Sequence, residues 1–178
     1  MMAKILSEKK KMVGVTLIET ILYLGIAVLV LGAIFSYGWN IIGTSVKASV
    51  VRETLASAEI FRERLMREIK NAQSVDRGNS AFGSAPGKLA LQVDGGSVTI
   101  EDLGGEIVLK RGTNDPVSIN FENVRINNLI FTEQISAEDE TEYVGFSFDA
   151  AASYAGSEKR SEYQFSVPFR SGAALRNH

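Results

Sequence analysis

Cysteine is absent from the 178 residues, and histidine occurs once, at His178. Without thiols there is no disulfide framework and no thiol chemistry, so an exported domain of this sequence has to rest on its packed core. A single histidine at the far end of the chain leaves imidazole-based acid/base or nucleophilic catalysis without a placement. No glycine-rich phosphate loop opens a helix, because the glycine pairs Gly95-Gly96 and Gly104-Gly105 fall between short alternating segments and read as turns. Excess positive charge is also lacking. The formal net charge is -2, and residues 1–14, with Lys4, Lys9, Lys10 and Lys11 against Glu8, are the one basic stretch. Without them the remainder carries about -5, which gives no long-range attraction for nucleic acid. The carboxylates of Glu138, Asp139, Glu140 and Glu142 crowd together without the spaced ligands and turn glycine of an EF-hand, and read as an acidic loop. These absences argue against an enzyme, and the sequence calls for no cofactor and no metal.

What is present is a long apolar run. Residues 15–42 contain one ionisable group, Glu19, besides the neutral phenols Tyr23 and Tyr37. As a helix they would extend roughly 42 Å, enough to cross a bilayer. The lysines just before the run predict a cytoplasmic amino terminus and an extracytoplasmic remainder. A secretory signal would have a shorter apolar core and a small-residue cleavage site after it, and neither is found. Glu19 is the informative residue. A carboxylate at the centre of a membrane helix costs about 2.5–3.5 kcal/mol, so one near the end either reaches back to the head groups or takes a partner. Gly25, Gly32, Gly38 and Gly43 fit the ordinary glycine enrichment of membrane helices; alternatively Gly32 and Ser36, four apart, let a second helix approach closely.

Beyond residue 42 the pattern becomes one-sided. Val51, Leu55, Ala58, Phe61, Leu65, Ile69 and Ala72 recur at spacings of three and four, with charged residues of both signs between them. This predicts that the helix continues to about residue 75, with one face packed. Residues 76–87 read as a loop. After it, alternation predicts short strands at residues 89–93, 98–100, 107–109, 117–121, 124–131, 143–148 and 163–169, with exposed loops at 136–142 and 150–160. A sheet with one apolar face needs a cover, and the stripe at residues 51–72 is the long amphipathic helix available to supply it. The expected fold is therefore α+β, a ladle whose handle is a long N-terminal helix and whose bowl is an antiparallel sheet of six or seven strands. Its segments are a leader at 1–14, a transmembrane half-helix at 15–42, an amphipathic half-helix at 43–75 and an extracytoplasmic sheet domain at 76–178.

The sequence Lys9-Lys10-Lys11-Met12-Val13-Gly14 followed by Val15-Thr16-Leu17-Ile18-Glu19 resembles the class III leader of type IV prepilins and pseudopilins. In that family a basic leader ends in glycine, and the mature chain opens with an apolar segment bearing glutamate at its fifth position. The resemblance implies cleavage between Gly14 and Val15 by a membrane prepilin peptidase, N-methylation of Val15, and pairing of Glu19 with the new amine of a neighbouring subunit during assembly. Two opposite charges held in a bundle of low dielectric would each relieve the other's burial cost. Val15 departs from the phenylalanine usual at the first mature position, and the proline frequent in the helix of major pilins does not occur here. Residues 124–131, 143–148 and 163–170, ending in Phe169-Arg170, are similar to the closing strands of minor pseudopilins of the J type and related minor pilins, some of which bind calcium. The partners implied are other pilin or pseudopilin subunits, the prepilin peptidase, the assembly platform of a bacterial inner membrane and, before assembly, the lipid bilayer. The competing reading is a single-pass anchored, extracytoplasmic binding protein that does not polymerise.

Overall fold

The computed structural model describes residues 16–135, 142–156 and 160–176. Gly14, Val15, the leader lysines, the acidic residues Glu138, Asp139 and Glu140, and His178 lie outside the described residues. The chain is α+β. Helix α1, Leu17–Lys70, crosses the boundary between two compact units, the first ending at Ile42 and the second starting at Gly43.

The first unit is helix alone among the described residues, and its large apolar side chains, from Leu17 to Ile42, are exposed. In the second unit α1 buries Val50, Thr54, Ala58, Phe61, Leu65 and Ile69, a stripe at spacings of three and four. The stripe starts one position earlier than hydrophobicity suggests: Leu55 stays 39 % exposed while Thr54 is buried. Thr54 can enter the core because its hydroxyl donates to the Val50 carbonyl one turn back, at 2.9 Å, so that no polar group goes unpaired.

The helix stops at Lys70 rather than near residue 75. Ala72–Val75 forms strand β1 instead, antiparallel to β2 (Lys88–Val93), with Ala72 opposite Val93 and Val75 opposite Leu91. A bulge between Ala72 and Ser74 turns both Ala72 and Val75 inward. Buried positions three apart suit a helical stripe and a bulged strand equally, which is why periodicity ran past the true end. The expected loop at 76–87 carries a 3-10 turn, Arg77–Asn79, capped by Asp76, whose carboxylate accepts from the Asn79 N–H.

Strands β1, β2, β3 (Gly96–Asp102), β4 (Ile107–Arg111) and β5 (Val117–Ser118) form a five-stranded antiparallel meander in chain order. Strands β6 (Val124–Ile135), β7 (Glu142–Ala152) and β8 (Ser166–Ala174) form a separate three-stranded antiparallel sheet. Two sheets thus replace the single one expected. The first ends in a strand of only two residues, β5, and just beyond it the Asn120 side-chain oxygen accepts from Ile107 N–H at 2.9 Å, continuing the β4–β5 pairing by one side-chain bond. A bridge between Phe82 and Phe131, with Gly83 N–H donating to the Phe131 carbonyl at 2.8 Å, links the loop after β1 to β6.

One continuous core joins the helical stripe, both sheets and a cluster of rings. Phe61 meets Phe148 edge to face at 4.9 Å, and Phe148 stacks on Phe169 at 5.3 Å. The last strand runs four residues beyond Arg170, to Ala174, while Tyr163 belongs to a 3-10 turn, Ser161–Tyr163. On the opposite face Tyr143 lies across the neighbouring strand at Gly172, where an added Cβ would fall 2.7 Å from the ring carbon bearing the hydroxyl. Glycine is required there because the same Cβ would also fall 2.7 Å from the Val144 carbonyl oxygen, which as backbone cannot swing aside.

Candidate functional site

Thr16 and Glu19 stand at the start of α1. The Thr16 hydroxyl accepts from the Glu19 N–H at 3.3 Å, so Thr16 caps the helix. The Thr16-x-x-Glu19 spacing is itself a capping-box signal, legible in the sequence, which a search for charges in the apolar run passes over. The Glu19 carboxylate accepts a hydrogen bond from the Tyr23 hydroxyl one turn on, at 3.1 Å. Glu19 is therefore not without a partner within its own chain. It also lies in the first turn, where the helix macrodipole favours negative charge. One neutral donor leaves the carboxylate further lone-pair positions, which can still take a cation.

Beyond Glu19 the large apolar side chains of the half-helix are exposed among the described residues. Leu29 is 75 % exposed and Phe35 74 %. Cβ atoms added to Gly25, Gly32 and Gly38 would meet nothing within 4 Å, and Ser36 is exposed on the same helix. The helix passes all three glycines unbroken. By length and composition this segment is a candidate membrane span.

The second unit holds two polar clusters that periodicity does not reveal. Glu68, on the buried side of α1, accepts from the Arg111 guanidinium at 2.5 Å, its side chain 7 % exposed against 55 % for the arginine. Their separation of 43 residues hides the pair from any local pattern. Glu53, exposed on α1, accepts from Asn123 Nδ2 at 3.0 Å and from the Tyr154 hydroxyl. The Tyr154 hydrogen bond, then that of Asn123, holds the Glu53 carboxyl below its ordinary range. Burial, and then the bond to Glu53, pushes the Tyr154 phenol up to about 12. Tyr154 packs edge-on to Tyr163 at 5.2 Å, and the Arg160 guanidinium lies over the Tyr163 ring, also at 5.2 Å.

Among the described residues no three His, Cys, Asp or Glu side chains come together to hold a metal ion. The surface depressions are open. One of about 650 Å³ is lined by residues including Thr132, Gln134, Tyr143 and Arg170, with Arg170 the one charged side chain among the described lining residues. Its described lining brings no acid and base together. No protein-family model, curated protein or solved structure matches the chain.

Proposed function

We propose that this chain is a structural, minor subunit of a type IV filament, a pilus or a type II secretion pseudopilus, and not an enzyme. It is made as a single-pass precursor in a bacterial inner membrane, with its amino terminus cytoplasmic and its sheet domain outside. The prepilin peptidase cuts between Gly14 and Val15, Val15 is methylated, and the helix then packs against those of other subunits. The observation that carries this reading is the contrast within α1: residues 43–70 bury a stripe in the core, while the large apolar side chains of residues 17–42 are exposed among the described residues, with one acid near their start. A bilayer before assembly and other helices after it both suit such a surface. The lone-pair positions that Tyr23 leaves on Glu19 are available to the amine created at Val15.

A second reading is favoured by a specific contact. Because Tyr23 and the helix start already stabilise Glu19, the chain can serve as a permanently anchored binding protein that never polymerises. Intact-mass measurement of the protein extracted from membranes of a cell containing a prepilin peptidase separates the two. Loss of residues 1–14 is expected for the filament subunit, and an intact leader would mean the anchored receptor. Glu19→Ala is expected to leave insertion and cleavage intact while depleting the chain from sheared filaments; normal incorporation would remove Glu19 from assembly.

A further inference from the structure

Strand β7 sends Val144, Phe146 and Phe148 into the core, so Tyr143, Gly145, Ser147 and Asp149 fall on the opposite face of the three-stranded sheet. Two open depressions, of about 650 and 550 Å³, lie along that outer face. Both are lined by Ser147 and Arg170, which stand opposite each other in the β7–β8 register. The Arg170 side chain is exposed, and among the described residues its guanidinium has no hydrogen bond and no ion pair. Asp149, the one acid among the described lining residues, already accepts from Asn128 Nδ2 at 2.7 Å. The described lining therefore centres on an uncompensated cation, in a chain whose formal charge is -2.

Glycines shape the surface beside it. Gly145 and Gly172 are paired across β7 and β8. A Cβ on Gly145 would fall 2.6 Å from Thr132 Oγ1, and the Tyr143 ring crosses Gly172. With side chains at those two positions the ring would have to stand up; without them it lies along the sheet, 39 % exposed. Gly172 is two residues from Arg170 on β8, roughly 7 Å along the strand. A flat aromatic platform thus adjoins a free planar cation, with the hydroxyls of Thr132 and Ser147 between β6 and β8.

We infer that this face of the sheet is a binding site for an acidic sugar chain, with Arg170 taking a hexuronate carboxylate and the Tyr143 ring carrying the neighbouring sugar. The Arg170 fork matches a carboxylate in two parallel hydrogen bonds. The negative face of an aromatic ring suits the C–H face of a sugar, and hydroxyl side chains suit its hydroxyl groups. An acidic peptide would supply the charge but nothing flat for the ring. The site lies wholly in the second unit and holds whether or not the chain polymerises.

The test is isothermal titration of the full chain in detergent micelles at low ionic strength, because salt screens exposed charge. The probe is α-1,4-linked tetragalacturonate. Maltotetraose, a neutral chain of α-1,4-linked rings, and tetraglutamate, carboxylates without sugar rings, are the comparisons. Tetragalacturonate is expected to bind about tenfold more tightly than either. Arg170→Ala is expected to weaken it about tenfold, and Arg170→Lys about threefold, since lysine keeps the charge and loses the fork. Tyr143→Leu is expected to weaken it about fivefold and Tyr143→Phe, which keeps the ring, to leave it unchanged. Lys110→Ala removes an exposed cation from the other sheet and is expected to change nothing. Arg170 has no described side-chain partner, so its variants should melt with the unmutated chain, which keeps a loss of binding from being a loss of fold. No binding of tetragalacturonate overturns the site. Equal binding of tetraglutamate overturns the sugar, and equal losses for Arg170→Ala and Lys110→Ala would mean diffuse attraction and no site.

Discussion

Leu29 and Leu65 belong to the same helix, yet one is 75 % exposed and the other is fully buried. Around Leu29 the sequence is apolar on every side, so no face is selected and none is covered among the described residues. Around Leu65 apolar residues recur on one side only, and that side is buried against two sheets. Helix formation has a different cause in each half. Residues 43–70 are helical because packing a stripe repays the ordering of the backbone. Residues 17–42 suit a solvent in which a helix is the way for one segment to satisfy its own N–H and C=O groups. A continuous helix can thus join two solvation regimes without a break, and the change of pattern near Gly43 marks the join.

The largest effect that would sharpen this contrast comes from deleting residues 1–42. The remaining unit is expected to lose all co-flotation with vesicles and to keep its cooperative thermal unfolding, because the core in which Leu65 sits contains no residue before Gly43. Loss of cooperative unfolding would show that the two halves are not independent. Single substitutions test the same point more finely. Leu65→Ala should cost about 2–5 kcal/mol in denaturant unfolding of the sheet domain, whereas Leu29→Ala should cost it less than about 0.5 kcal/mol. Next in size is the pair on the buried side of α1. Arg111→Ala leaves the Glu68 carboxylate in the core without its charged donor and should cost about 1–3 kcal/mol. Glu59→Ala, which removes the solvent-screened partner of Arg62, should cost clearly less than Arg111→Ala in the same unfolding measurement. Equal costs for the two would mean that Glu68 finds water when Arg111 is gone.

Which parts were legible follows from what each signal encodes. Period and alternation report burial, and they located the apolar run, the packed half-helix from Ala58 to Ile69 and the strands near Leu89, Val98, Ile107, Val124 and Tyr143. They do not report hydrogen bonding. Thr54 entered the core in place of Leu55 because of a bond to its own helix, and Ala72 and Val75 belong to a bulged strand because of a ladder with β2. The Asn120 bond to Ile107 N–H, made by a polar side chain outside any alternation, is equally invisible to period. At the candidate site, Glu19 was conspicuous as an isolated charge, while its bonds to Thr16 and Tyr23 lie in spacings of three and four that a search for charge ignores. The Glu53, Asn123 and Tyr154 cluster joins residues up to 101 apart, a separation no local pattern spans.

That cluster gives the smallest effect and the one tuned by pH. Glu53 has its pKa lowered by hydrogen bonds, so its share of stability is present above the ordinary carboxylate range and is lost as pH falls through the depressed value. Tyr154 has its pKa raised from 10.0 to about 12, so its share is complete below the ordinary phenol value and is lost as pH rises through the folded value. Between those limits Tyr154→Phe should destabilise the sheet domain by less than about 1 kcal/mol, because Glu53 is exposed and water replaces the lost donor. The difference from the unmutated chain should shrink on both the acid and the alkaline flank. Ultraviolet titration of the folded protein should show one phenol ionising near 12 that is missing from the Tyr154→Phe titration. Should that late phenol persist in the variant, Tyr154 would not be the tie between the β7–β8 connection and the helix, and the packed half of α1 would hold that segment by apolar contact alone.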